Sequence, residues 1–221
     1  MQSSANYNTV VFFYDRLCQI VFGQTIKNAQ IESLPFMPPN ANILIVGGGT
    51  GWILEEIAKI HSSGLRITYI DSSSKMIQLS KRRNCALNTI TFIQQSIENT
   101  DLPQHKFDVI ITPFLFDNFS QSTAEFIFKK LDTCLKPNGT WLYTDFHLSK
   151  KNNFLQKILI KGMYVFFRFT CNIEADKLPD MDIYFSSYKI KAAKNYFKDF
   201  ITMKVYQKEV NSVAIKSAIS I

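Results

Sequence analysis

An apolar strand that runs into a glycine-rich turn and then a helix constrains the fold of this chain more than any other feature. Ile43–Val46 is a short apolar run, Gly47–Gly51 holds four glycines in five residues, and Trp52–Ile60 carries apolar residues at helical spacing. The same order of strand, turn and helix recurs downstream. This alternation predicts an α/β protein whose parallel sheet is covered by helices on both faces.

The remaining elements follow the same pattern. Further strands are predicted at Leu65–Ile70, Thr89–Ile93, Phe107–Ile111 and Thr140–Tyr143. Helices are predicted from a cap at Ser72–Ser74 to Lys81 and over Thr123–Leu135, with a turn at Lys136–Gly139.

The two ends of the chain depart from this alternation of strands and helices. Residues 1–40 have helical spacing and close on a proline-rich stretch, which predicts a helical lid. Ile190–Phe200 is predicted to be a helix, and Ile201–Glu209 with Ser212–Ile219 an antiparallel hairpin, because the link between them is so short. The chain is thus expected to be one domain, with residues 41–146 forming a ligand-binding half and residues 147–221 a substrate-covering segment and hairpin.

Length and composition fit one globular domain. The chain has 221 residues, of which 46% are apolar and 19% charged. Apolar runs such as Val109–Phe116 are far shorter than the roughly 20 residues that span a bilayer, and the N-terminus has no basic start followed by an apolar block. The four cysteines lack zinc-ligand spacing. We therefore expect a cytoplasmic protein with reduced thiols and no metal.

Positive charge is concentrated in the last third. Residues 1–146 carry 12 basic and 12 acidic side chains, whereas residues 147–221 carry 13 and 6. A basic surface can attract nucleic acid, anionic lipid or an anionic substrate, but it can equally be a solubilising face.

The glycine turn favours a bound ligand. Glycines let the main chain approach a ligand closely, and the helix N-terminus presents free N–H groups to a polar or anionic group. Asp71 ends the next strand, where a carboxylate can accept hydrogen bonds from both hydroxyls of a ribose or cap the following helix. A dinucleotide site needs a third glycine where this chain has Trp52, which argues against a nicotinamide-dependent oxidoreductase.

Four segments together resemble the ordered motifs of class I S-adenosylmethionine-dependent methyltransferases. They are NILIVGGGTGWILEEIA (residues 42–58), YIDSSSKMIQLSKRR (69–83), FDVIITPFLFDNF (107–119) and LKPNGTWLYTDF (135–146). The resemblance is strongest to the small-molecule branch that includes the ubiquinone/menaquinone-biosynthesis C-methyltransferases. It implies a three-layer, Rossmann-like sandwich with a seven-stranded, mainly parallel sheet and an antiparallel C-terminal hairpin.

The resemblance also implies a cofactor, S-adenosyl-L-methionine, with S-adenosyl-L-homocysteine as product, and a set of contacts. The glycine turn would surround the methionine moiety, Asp71 would hold the ribose, and further residues would flank the adenine or the sulfonium. The implied cofactor-binding residues are Gly47, Gly48, Gly49, Thr50, Gly51, Asp71, Ser72, Met76, Ser96, Ile97, Thr112 and Phe114. Ile45 and Ser96 stand where the family commonly has acidic residues.

Catalytic groups are harder to identify, because methyl transfer depends mainly on holding the acceptor in line with the sulfonium. His147 follows the fifth strand and is a candidate base, or else an exposed loop histidine. Asp117 follows the fourth strand and could orient a substrate hydroxyl, or be a solvated carboxylate. Tyr14 matches a Tyr-Asp pair that often lies in the lid of the family.

The acceptor is expected to be small and apolar or aromatic, with methylation at O or C. Nucleic acid is disfavoured, because Thr112–Leu115 lacks the double proline used on base amines and no cysteine follows a proline. Residues 151–169 are rich in Phe, Leu and Ile with interspersed basic residues, which suits either a substrate lid in contact with a membrane surface or a core helix. The alternatives are a non-catalytic relative that binds the cofactor and an RNA-directed methyltransferase. The oligomeric state is left open.

Overall fold

A single seven-stranded sheet organises the molecule. The structure is a computed structural model, and it describes residues 24–147 and 178–209. In chain order the strands are β1 Asn42–Val46, β2 Ser63–Asp71, β3 Leu87–Gln94, β4 Phe107–Pro113, β5 Leu135–Phe146, β6 Tyr188–Tyr196 and β7 Ile201–Lys208.

The sheet order is β3-β2-β1-β4-β5-β7-β6. Strands β1 to β5 are parallel, and β7 runs antiparallel to both β5 and β6. The predicted fold class is thereby confirmed. The carboxyl ends of β1, β2, β4 and β5 meet at one edge, where a parallel sheet of this kind binds ligands.

Within the described residues, the α-helices beside the sheet are α1 Thr25–Ile31, α2 Trp52–Ile60, α3 Ser74–Ser80 and α4 Gln121–Cys134. Helix α3 begins after Ser73, whose hydroxyl accepts a hydrogen bond from the Met76 N–H at 3.4 Å. Helix α4 begins after Ser120, whose hydroxyl accepts from the Thr123 N–H at 3.2 Å. Both caps satisfy main-chain donors that the first helical turn leaves free.

Apolar side chains are buried on both faces of the sheet. One core includes Ile43, Ile45, Ile53, Ile57 and Phe146, and the other includes Leu44, Ile110, Ile127, Leu131 and Trp141. Because the central strands face helices on both sides, they are nearly continuous apolar runs. This is why the sequence locates them so well.

The helix predicted at Ile190–Phe200 is wrong, because residues 188–196 form the edge strand β6. The side chains of β6 that turn inward are Tyr188, Ala192 and Tyr196, four residues apart. This four-residue spacing resembles a helical period. The register shift between Ile190 and Ala192 changes which face is buried, so that Tyr188 joins one core and Ala192 and Tyr196 join the other.

The predicted hairpin partner of Ile201–Glu209 is therefore wrong as well. Strand β7 pairs with β6, through a turn in which Phe197, Lys198 and Asp199 all have positive φ. Ser212–Ile219 lies outside the described residues. The predicted turn at residues 136–139 is an irregularity within β5, where the register on β4 jumps from Leu135 to Thr140.

Candidate functional site

The glycine turn lies at the carboxyl edge of the sheet, between β1 and α2. Gly47, Gly49 and Gly51 have φ values of 72°, 61° and 74°, a region that side chains other than glycine rarely occupy. The turn closes with a hydrogen bond from the Gly51 N–H to the Gly48 carbonyl at 3.2 Å. The main chain is thus open to a ligand just before the N-terminus of α2.

Neighbouring side chains support each part of this turn. A Cβ on Gly48 would lie 2.5 Å from the Tyr69 hydroxyl oxygen, and that hydroxyl donates to the Gly49 carbonyl at 2.9 Å. Arg83 Nε donates to the Thr50 carbonyl at 2.9 Å. The sequence analysis missed Tyr69 and Arg83, although Tyr69 lies on the same strand as Asp71 and two residues before it.

Asp71 ends β2 and binds the turn directly. Its Oδ2 accepts from the Gly49 N–H at 3.2 Å, and its Oδ1 accepts from the Ser73 N–H at 2.9 Å. Burial raises the pKa of Asp71, while these two N–H donors act to lower it. The cap of α3 is Ser73, which confirms the cap predicted at Ser72–Ser74, while Ser72 itself is exposed.

The predicted adenine-side residues lie next to Asp71. The Gln95 N–H donates to the Asp71 carbonyl at 3.2 Å, which places Ser96 beside this edge. Ser96 is half-buried, and its hydroxyl accepts from Asn99 at 3.3 Å. Met76 and Ile97 are buried, so each could offer only an apolar surface.

Two predicted residues at the end of β4 differ in burial. The Thr112 side chain is fully buried, and its hydroxyl accepts from the Trp141 indole at 2.9 Å within the core. Phe114 is half-buried, and its ring lies 4.9 Å from that of Phe146. Its φ of 49° is unusual for a bulky side chain, and such strain is often found at functional sites.

The three candidate catalytic residues differ in burial and in whether the structure describes them. Asp117 is buried, which excludes the alternative of a solvated carboxylate, and burial next to Asp145 raises its pKa well above the usual range. His147 is half-buried directly after β5, and its N–H donates to the Phe200 carbonyl at 2.8 Å. Tyr14 lies outside the described residues, as do residues 151–169.

Two further findings bear on ligands and membranes. Within residues 24–147 and 178–209, the structure contains no group of three or more His, Cys, Asp or Glu side chains that could hold a metal. In the same residues, no helix has the length and apolarity needed to cross a membrane.

Comparison with known proteins finds a methyltransferase domain in this chain. The sequence profile of the methyltransferase domain family matches residues 43–139, from β1 into β5. Residues 43–139 thus carry a methyltransferase domain, and the chain resembles class I S-adenosylmethionine-dependent methyltransferases. The resemblance drawn from the sequence motifs is therefore confirmed.

Two curated methyltransferases are similar to this chain. The ubiquinone/menaquinone biosynthesis C-methyltransferase UbiE of Wigglesworthia glossinidia brevipalpis is 26% identical over 217 residues, covering 96% of this chain and 80% of that protein. The phosphoethanolamine N-methyltransferase of Plasmodium falciparum is 28% identical over 117 residues, covering 52% of this chain and 42% of that protein. The two relatives methylate different kinds of atom.

A solved structure shares the fold of this methyltransferase. The complex of the Haloferax volcanii Trm112 methyltransferase activator with a putative methyltransferase matches with a TM-score of 0.61 at 12% identity. The match covers 95% of this chain and all of that one. At this identity the likeness concerns the architecture alone.

Proposed function

We propose that this methyltransferase transfers the methyl group of S-adenosylmethionine to carbon or oxygen of a small apolar or aromatic acceptor. The observation that carries the proposal is a row of aromatic rings beside the glycine turn. The ring of Phe114 lies 4.9 Å from that of Phe146, which lies 5.1 Å from that of Phe200. A flat apolar acceptor would pack favourably against the half-buried Phe114 at the end of this row.

The cofactor fits the residues of the turn. Each carboxylate oxygen of Asp71 already accepts one main-chain N–H, and each has a second lone pair for a ribose hydroxyl. The open main chain at Gly49, where a Cβ would touch nothing within 4 Å, leaves room for the methionine moiety. The ring stack at Phe114 then lies on the side of β4 and β5, where an acceptor would approach the sulfonium.

Among the described residues, His147 is the candidate for a group that takes a proton from the acceptor. It follows β5 and is half-buried, whereas Asp117 is only 7% exposed. A carbon acceptor on a phenol or quinol ring loses a proton on methylation, so a base would help this reaction.

The position of the exposed lysines favours a small-molecule acceptor over nucleic acid, because they lie away from the proposed site. Lys189, Lys191 and Lys194 are exposed on β6, the strand at the far edge of the sheet from β3. Two strands, β5 and β7, separate β6 from β4 and the site. Charged side chains on an edge strand commonly prevent pairing with another sheet, a role that needs no ligand.

The cytoplasm is the cellular location that we propose for this protein.

Calorimetric titration with S-adenosylhomocysteine, with NAD as control, tests the cofactor. Binding of the first at micromolar concentration and none of the second is the expected result. Incubation with methyl-labelled S-adenosylmethionine and a panel of phenols and quinols then tests the acceptor, and mass spectrometry of the product distinguishes C- from O-methylation. Binding without label transfer to any acceptor would instead favour the non-catalytic relative, and label transfer to tRNA would favour the RNA-directed enzyme.

A further inference from the structure

A buried carboxylate lies beneath the edge of the site without touching it. Asp145, near the end of β5, is 2% exposed. Its Oδ2 accepts from the Phe116 N–H at 3.0 Å, and its Oδ1 accepts from the Phe146 N–H at 2.8 Å. The Asp117 N–H is a third main-chain donor to this side chain. The carboxylate therefore binds the first turn of the short helix Phe116–Asn118.

The segment held in this way connects to both halves of the site. A Cβ on Gly47 would lie 3.2 Å from Leu115 Cδ1, so the Leu115 side chain packs against the start of the glycine turn. Phe114, one residue earlier, presents the ring proposed to face the acceptor. The Asn118 side-chain amide also donates to the Phe114 and Leu115 carbonyls, at 3.0 and 3.1 Å.

We propose that Asp145 is a positioning residue for methyl transfer, which holds residues 114–118 so that Leu115 supports the glycine turn and Phe114 faces the acceptor. The inference rests on the proposed cofactor site. An ionised carboxylate only accepts hydrogen bonds, so it can satisfy several N–H donors at once. An amide in its place turns an NH₂ group toward one of those donors and leaves it unpaired.

The surroundings of Asp145 make burial of its charge costly, which argues for a role beyond packing. The Asp117 carboxyl and the Tyr143 hydroxyl lie close enough to interact with it electrostatically. Thr202, its cross-strand neighbour on β7, has a buried hydroxyl with no hydrogen-bond partner among the described residues. Burying a charge among such groups is costly, and an apolar residue would be cheaper if only packing mattered.

The test compares Asp145→Asn with Asp108→Asn at pH 8. Asp108 is a matched control, because its Oδ2 also accepts a main-chain N–H, that of Asn42 at 2.8 Å, at the opposite end of β4. We expect Asp145→Asn to weaken S-adenosylhomocysteine binding about tenfold, the effect of one lost charge-assisted hydrogen bond. Hydrogen exchange should accelerate at the Phe116 amide. Asp108→Asn should lower the melting temperature without changing the affinity.

Leu115→Ala is the second variant, since it removes the contact with Gly47 and leaves Asp145 in place. It should also weaken S-adenosylhomocysteine binding. Unchanged affinity and unchanged exchange at Phe116 in folded Asp145→Asn would overturn the positioning role, and so would an equal loss of affinity in Asp108→Asn. If the unmodified protein does not bind S-adenosylhomocysteine, the proposed cofactor site fails, and the exchange rate at Phe116 still reports whether Asp145 holds the segment.

Discussion

The carboxylate of Asp71 and the main-chain N–H of Gly49 are joined by a hydrogen bond of 3.2 Å. One side chain therefore fixes the glycine turn and offers its remaining lone pairs to a ligand. The second strand thus contributes to the shape of the turn as well as to its chemistry. Substitution of Asp71 should therefore weaken cofactor binding in two ways, by loosening the turn and by removing hydrogen-bond acceptors.

Asp71→Asn tests this double role. The amide keeps the shape of the side chain but loses the charge and one acceptor. Hydrogen bonds to a charged group contribute about 1.5–3 kcal/mol, so the affinity for S-adenosylhomocysteine should fall about 10- to 100-fold. Titration calorimetry measures the change. Asp101→Asn, which alters an exposed carboxylate before β4, is the control and should bind as the unmodified protein does. Equal affinity in both variants would contradict the assignment of Asp71.

Gly48 and Gly49 should respond differently to an added methyl group. A Cβ on Gly48 would meet the Tyr69 ring at 2.6 Å, whereas one on Gly49 would meet nothing within 4 Å. Gly48→Ala should thus cost about 1–3 kcal/mol of unfolding free energy through overpacking. Gly49→Ala should cost about 1–2 kcal/mol through its positive φ alone.

Chemical denaturation of both variants in the presence and absence of Tyr69→Ala separates the two causes. Removal of the ring should relieve most of the cost of Gly48→Ala and much less of that of Gly49→Ala, whose only link to Tyr69 among the described contacts is the hydrogen bond to its carbonyl. If the cost of Gly48→Ala is the same in both backgrounds, the clash with Tyr69 is not its cause.

Phe114 offers a test of strain at the site. Its φ of 49° is costly for alanine as well, but not for glycine. Phe114→Gly should therefore be more stable than Phe114→Ala by about 1 kcal/mol in urea unfolding, although both lose the ring. Both variants should still bind S-adenosylhomocysteine and should methylate an acceptor more slowly. A more stable alanine variant would show that the backbone at this position relaxes when the ring is lost.

The sequence predicts the central strands well because their signal is local. Ile43–Val46 and Val109–Ile111 are apolar on both faces, and glycine or aspartate marks where strands end. Edge strand β6 lacks that signal, since only Tyr188, Ala192 and Tyr196 turn inward and their four-residue spacing resembles a helical period. The prediction of a helix there failed for that reason.

The candidate site could be predicted only in part, for a similar physical reason. The glycine turn and Asp71 are motifs within short stretches of chain. The residues that support the turn, Tyr69, Arg83 and Leu115, reach it from separate elements, and their contacts depend on the three-dimensional packing of the sheet. The direction of the Thr112 hydroxyl toward Trp141 could likewise not be read from the sequence.

The stability of the protein should decrease as pH rises from about 4 to about 7. Burial raises the pKa of Asp145 to about 7, against the N–H donors that bind it, and burial beside Asp145 raises the pKa of Asp117 well above its usual range. In this pH window the folded state holds protons that the unfolded state has released, so unfolding becomes more favourable as pH increases.

Asp117→Asn removes one member of the pair and the like charge that it presents to Asp145 and Tyr143. The decrease in unfolding free energy between pH 5 and pH 8 should then be smaller by about 1–2 kcal/mol, as urea denaturation at the two pH values would measure. An identical pH dependence in the variant would mean that Asp117 is ionised in the folded protein throughout this range.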